Sequence, residues 1–267
     1  MIGAIIGDIV GSRFEFHNHR DKNFELFSPR CRATDDSIMS LAVAEAILES
    51  KPDHSNLSEN AVKYMREIGQ PYPNCGYGGH FLMWMYDDDP QPYNSFGNGA
   101  AMRVSAAGWA GKSLEDTREI ARKVTEVTHN HPEGIKGAEA TAAAIYLART
   151  GKTREEIRDY ITKNYYPIDF TLDEIRPTYR FNETCQDTVP QAMEAFFESK
   201  DFEDALRNAI SVGGDSDTLA AITCGIAEAC YGVPENIRQG ALPYLDTRLR
   251  SILDEFEAKY PPVKEEK

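Results

Sequence analysis

The chain has 267 residues and carries 29 Lys plus Arg against 43 Asp plus Glu, a formal charge of −14. That length is near the upper end for a single hydrophobic core, and so acidic a surface repels nucleic-acid backbones and anionic membranes over most of its area. Five cysteines (Cys31, Cys75, Cys185, Cys224 and Cys230) without a CxxC pair argue against a disulfide scaffold and a zinc site, which fits a reduced, cytoplasmic setting.

Residues 1–11 are apolar, but they lack a basic leader and contain Asp8, so they do not read as a signal peptide. No stretch approaches the ~20 apolar residues that span a bilayer. Residues 36–50 place Met39, Ala42, Val43, Ala46 and Ile47 on one stripe, which predicts a helix. Residues 57–68 repeat the pattern, with Ser58 as a candidate cap. A helix over 113–128 is stopped by His131-Pro132, and the alanine-rich helix over 135–149 ends at Gly151. Thr153 and Glu156 form a capping-box pattern that opens the next helix. Residues 187–198, 202–212, 217–231 and 244–258 complete the set. Alternating β-branched stretches are almost absent, and the chain reads as all-α: one compact multi-helix domain over 1–260 and a flexible tail over 261–267.

Three segments interrupt this rhythm: 7–32, 70–99 and 164–185. The middle one mixes glycines and prolines with tyrosines, Trp84 and two phenylalanines. A long irregular segment inside a helical domain is usually functional.

Thr34-Asp35-Asp36 and Asp215-Ser216-Asp217-Thr218 lie about 180 residues apart yet share one composition. Each offers two carboxylates and a threonine hydroxyl, and each leads into an apolar helix. Either cluster alone reads equally as an N-cap with a favourable first turn. One capping residue suffices, however, and the doubled carboxylates crowd negative charge that only cations relieve. Hard divalent ions take such oxygen ligands, so the pair suggests a magnesium-type site with more than one ion. Gly213-Gly214 before the second cluster permits close backbone approach. Asn98, between Gly97 and Gly99, is either a turn cap or part of an anion-binding loop. His131 reads by itself as a helix-terminating residue, and Asp87-Asp88-Asp89 as a solvated loop tip. Gly7 and Gly11, four apart, are open to a helix-packing role, and Glu15 to an exposed one. No nucleophile triad, P-loop or GxGxxG fingerprint is present.

In order along the chain, GDIVGSRFE (7–15), TDDS (34–37), SFGNGAAMR (95–103), HNHPEG (129–134) and GGDSDT (213–218) resemble the ADP-ribosylglycohydrolase family. That family includes the dinitrogenase reductase activating glycohydrolases and the ADP-ribosylarginine and ADP-ribosylserine hydrolases. The resemblance runs from residue 3 to about residue 231.

It implies an all-α fold and two Mg²⁺ ions, or Mn²⁺ in their place. Thr34, Asp35, Asp36, Asp215, Asp217 and Thr218 would be ligands, and Glu15, Asp35 and Asp36 the catalytic carboxylates. Ser12, Gly97, Asn98, Gly99, Met102, His131, Gly213, Gly214 and Ser216 would contact the substrate. Ser216 and Ala100 stand where other members often carry threonine and serine. The expected reaction is hydrolysis of the glycosidic bond between ADP-ribose and a protein side chain or small conjugate, by a monomer without nucleic-acid or membrane partners. The aromatic segment would border the adenosine, with Tyr93 or Phe96 stacking on it. Two other readings stay open: a non-catalytic, crystallin-like ADP-ribose binder, and a magnesium-dependent nucleotide phosphohydrolase.

Overall fold

The computed structural model describes residues 1–262, and the expected flexible tail over 261–267 falls mostly outside them. Helices are the regular elements of the described residues, joined by irregular segments, with one isolated antiparallel bridge between Gly97 and Thr184. In chain order the helices are α1 (Ile2–Gly11), α2 (Asp35–Leu48), α3 (Leu57–Gly69), α4 (Gly79–Tyr86), α5 (Gly99–Met102), α6 (Ser105–Ala110), α7 (Leu114–Thr125) and α8 (Pro132–Arg149). They continue as α9 (Arg154–Asn164), α10 (Leu172–Ile175), α11 (Cys185–Phe197), α12 (Phe202–Val212), α13 (Ser216–Tyr231), α14 (Glu235–Ala241) and α15 (Thr247–Lys259), with a 3₁₀ turn at Leu242–Tyr244. The cysteines form no disulfide, and no described helix is long and apolar enough to cross a membrane.

Three helices have almost no polar face. Every residue of α1 is buried, α13 is buried from Ser216 to Ala229, and α2 nearly as completely. A helix that is apolar all round belongs in the middle of the molecule, where no stripe is needed. That is why periodicity does not announce α1. The glycines of α1 decide how closely it meets α13. A β-carbon at Gly3 would lie 2.4 Å from the Cys224 carbonyl oxygen, at Gly7 2.2 Å from that of Ala220, and at Gly11 2.5 Å from Asp217 Cα. Gly7 and Gly11 therefore serve helix packing. The same contact carries Asp8 and the segment up to Glu15 alongside the start of α13.

The amphipathic helices surround this centre. In α7, Ile120, Ala121 and Val124 face inward, Ser113 caps the start, and Glu115 in the first turn and Arg122 and Lys123 in the last suit the helix dipole. The 70–99 segment is less irregular than expected, because Phe81, Trp84 and Met85 bury one side of the two-turn helix α4. Eight residues are too short to display a 3.6-residue period.

Candidate active site

The two acidic clusters converge at adjacent helix starts. Asp35 and Asp36 occupy the first turn of α2, and Asp217 that of α13, where the helix dipole favours negative charge. Carboxylate oxygens of Glu15, Asp215 and Asp217 all come within 4.8 Å of one another. The Thr218 hydroxyl donates to Asp36 across the two helices at 3.3 Å, linking the clusters. A cavity of about 300 Å³ opens beside them. Its lining includes Glu15, Asp35, Asp36, Asp215, Asp217 and Thr218, then Asn98 with its flanking glycines, Met102, Arg103 and His129.

Helix capping does not account for these carboxylates. Thr34 is the cap of α2, accepting from the Asp36 N–H at 3.3 Å. Asp215, at the cap position of α13, makes no capping hydrogen bond and instead accepts from the Asn98 amide at 2.7 Å. Burial raises the pKa of each acid, and for Glu15, Asp35, Asp36 and Asp215 the charge of Asp217 adds to it. Glu15 is pushed up to about 8 by burial, then by the charges of Asp217 and Asp35. Asp35 is likewise pushed to about 8, and Asp36 and Asp215 also rise, by burial first and Asp217 second.

The donor set fits hard divalent cations. It is all oxygen, from carboxylates and the Thr218 hydroxyl, and it contains no thiolate or imidazole. Oδ1 of Asp36 is buried without a hydrogen-bond partner, an expensive state for a carboxylate unless an ion takes it.

Beneath the first cluster lies Asp8, a residue absent from the expected site. It is fully buried and accepts from Thr34 N–H at 2.9 Å, Thr34 Oγ1 at 2.6 Å, Ser37 N–H at 3.1 Å and the Ser37 hydroxyl. Burial, then the charge of Asp217, pushes its pKa up to about 7. The clue in the sequence is a lone carboxylate inside an otherwise apolar run, which a buried helix retains only with partners.

The other expected substrate residues divide. Gly97, Asn98, Gly99 and Met102 line the cavity. Ser12 does not; it ends α1, donating to the Ile9 carbonyl at 2.9 Å and accepting from Arg32 N–H at 3.1 Å. Gly213 and Gly214 adopt φ of +76° and +75° and pack against Asn18 and Tyr179. The Gly214 N–H is held by Asn18 at 2.7 Å, and Ser216 is buried against the Gly214 carbonyl.

His131 caps α8, its Nδ1 accepting from Glu133 N–H at 3.1 Å, and it does not line the cavity. The histidine on the cavity wall is His129. Arg103, fully buried, donates to Thr128 Oγ1 at 2.5 Å. His129 Nδ1 lies 2.8 Å from Thr128 Oγ1 and 3.4 Å from the Arg103 guanidinium, which only donates, so Nδ1 is the accepting nitrogen. The His129 proton therefore sits on Nε2, facing the loop, where a β-carbon at Gly99 would be 3.3 Å away. Burial and then Arg103 hold its pKa well below the ordinary value, so the ring is a neutral donor. In HNHPEG both histidines stand two residues apart, and spacing alone does not separate them. Tyr93 also lines the cavity, 5.8 Å from the His129 ring, whereas Phe96 packs on His131 at 5.2 Å.

The profile of the ADP-ribosylglycohydrolase family matches residues 1–264. The chain belongs to that family. Among characterised proteins it is 26% identical to the ADP-ribosylarginine hydrolase Tri1 of Pseudomonas putida (strain GB-1), over 87% of this chain and 70% of that one. It is 24% identical to the human ADP-ribosylhydrolase ARH3, over 92% and 89%. Its fold matches a solved structure titled ADP-ribosylglycohydrolase-related protein complex with a TM-score of 0.68 at 23% identity, covering 96% of this chain and 92% of the other. The all-α architecture is thus that of the family.

Proposed function

We propose that this ADP-ribosylglycohydrolase-family protein is a divalent-cation-dependent hydrolase that cleaves the bond between the ADP-ribose C1″ carbon and an acceptor. The observation that carries the reading is the meeting of Glu15, Asp215 and Asp217 in one cavity with Asp36, whose Oδ1 has no hydrogen-bond partner, and a glycine-flanked loop. The characterised relatives, an ADP-ribosylarginine hydrolase and an ADP-ribosylhydrolase, support the same chemistry.

Asp35, Asp36, Asp215, Asp217 and Thr218 would hold two Mg²⁺ ions, with the Thr34 turn at the edge of the set. When bound, such ions supply an anchor for ribose hydroxyls and lower the pKa of a coordinated water. This chain's own residues do the rest. The transition state at C1″ is oxocarbenium-like, and the nest of carboxylates tolerates its positive charge. Glu15, half-buried at the cavity wall, positions water and moves its proton. Asn98 is locked between Asp215 and Thr188, at 2.7 and 3.2 Å, so it fixes the loop, and the neutral Nε2–H of His129 faces the diphosphate.

Product analysis tests this reading. The protein with Mg²⁺ and an ADP-ribosylated peptide should yield free ADP-ribose and unmodified peptide by mass spectrometry. Release of inorganic phosphate or AMP would replace it with a phosphohydrolase, and binding without turnover would replace it with a non-catalytic role.

A further inference from the structure

Two large apolar side chains stand exposed at the mouth of the cavity. Phe16 is 73% exposed and Phe181 41%, yet their rings stack with centroids 5.9 Å apart and planes at 28°. Phe181 lines the cavity and Phe16 directly follows Glu15, so the pair belongs to the acidic end. The cavity's other aromatic surface, His80, Tyr93 and His129, lies beside the Gly97–Gly99 loop, with successive centroids 5.9 and 5.8 Å apart. If the ADP moiety takes that second surface, the Phe16–Phe181 pair faces the group on the far side of the scissile bond.

Charge narrows what that group is. Glu15, Asp35, Asp36, Asp215, Asp217 and Glu183 all line the cavity, while Arg32 lies near enough to Glu15 to favour its ionised form. The one Arg or Lys in that lining is Arg103, which is buried and donates to Thr128, so the lining's own side chains are acidic by five charges. A planar, weakly hydrated cation suits both the rings and the field, because guanidinium stacks on aromatic faces. A serine oxygen offers neither plane nor charge.

We propose that Phe16 and Phe181 are specificity-determining residues that hold the guanidinium of an ADP-ribosylated arginine, an inference that rests on the hydrolase reading above. In the step they serve, the water oxygen bonds to C1″ as the C1″–N bond breaks. The electron pair stays on the guanidinium nitrogen, which leaves neutral, and the water's proton restores its charge.

Two peptides of one sequence, ADP-ribosylated on arginine or on serine, test this with the wild type, Phe16→Ala and Phe181→Ala. ADP-ribose affinity is read in parallel by calorimetry. The wild type should prefer the arginine conjugate in kcat/KM, and each variant should shrink that preference about threefold to tenfold, mainly through KM. Both rings are exposed, so the variants should fold. A wild-type preference for serine, or equal losses on both peptides, would overturn the assignment and leave the hydrolase reading standing. Release from neither peptide would overturn both.

Discussion

Thr34 gives its hydroxyl proton to Asp8 at 2.6 Å, so the turn carrying Asp35 and Asp36 hangs on a carboxylate from another helix. Asp8 itself is set by α1, whose glycines let it lie against α13. One packing interface thereby ties both acidic clusters to the same buried anchor.

Replacing Asp8 with Ala should expose that dependence. It strips the acceptor from two N–H groups and two hydroxyls, and stranded buried donors of this kind destabilise by about 3 kcal/mol. Thermal unfolding should show Tm lower by roughly 6–12 °C for a chain of this size. Asp8→Asn keeps an oxygen for both N–H groups and should lose much less. Equal stability of wild type and Asp8→Ala would remove the anchor role.

The two histidines make a sharper comparison. His129→Ala should weaken ADP-ribose binding about tenfold, the order expected for a donor to a charged group. His131→Ala should cost only a cap, about 1 kcal/mol of stability, with ADP-ribose affinity intact. Calorimetric titration of the two variants decides between them, and a larger binding defect in His131→Ala would contradict the placement.

The raised carboxylates set a pH dependence for the metal-free protein. Asp8 sits at about 7 and Glu15 and Asp35 at about 8, against roughly 4 when unfolded. Between those limits the folded state binds more protons than the unfolded one, so stability falls as pH rises. In EDTA, Tm should drop from pH 5 to pH 8, and Mg²⁺ should restore more of it at pH 8. A Tm that climbs over that interval in EDTA would contradict the electrostatic picture.

Much of this was legible in the sequence because the chemistry demands particular residues. Doubled aspartates after a threonine exceed what a cap needs, and in the structure the capping is done by Thr34 alone. Caps were equally legible, as with the capping box of Thr153 and Glu156 that opens α9. The rest carries no periodic signal. Helix α1 is buried on all sides, α4 is too short for a period, and the lone Asp8 marks a buried carboxylate without naming its partners. His129 and His131 differ only in which one Arg103 and Thr128 reach, and that depends on contacts 25 and 26 residues apart in the chain.

In the proposed reaction the paired acidic clusters act through divalent cations on the ADP-ribose bond. The most direct test is single-turnover release of ADP-ribose by metal-stripped protein, with Mg²⁺ restored, for the wild type and Asp36→Asn. The wild type should be silent in EDTA and recover fully with Mg²⁺. Asp36→Asn should stay at least about 100-fold slower at any Mg²⁺ concentration, the scale of a lost electrostatic contact in the transition state, with an unchanged helical circular dichroism spectrum. Undiminished release in EDTA, or by Asp36→Asn, would contradict the account.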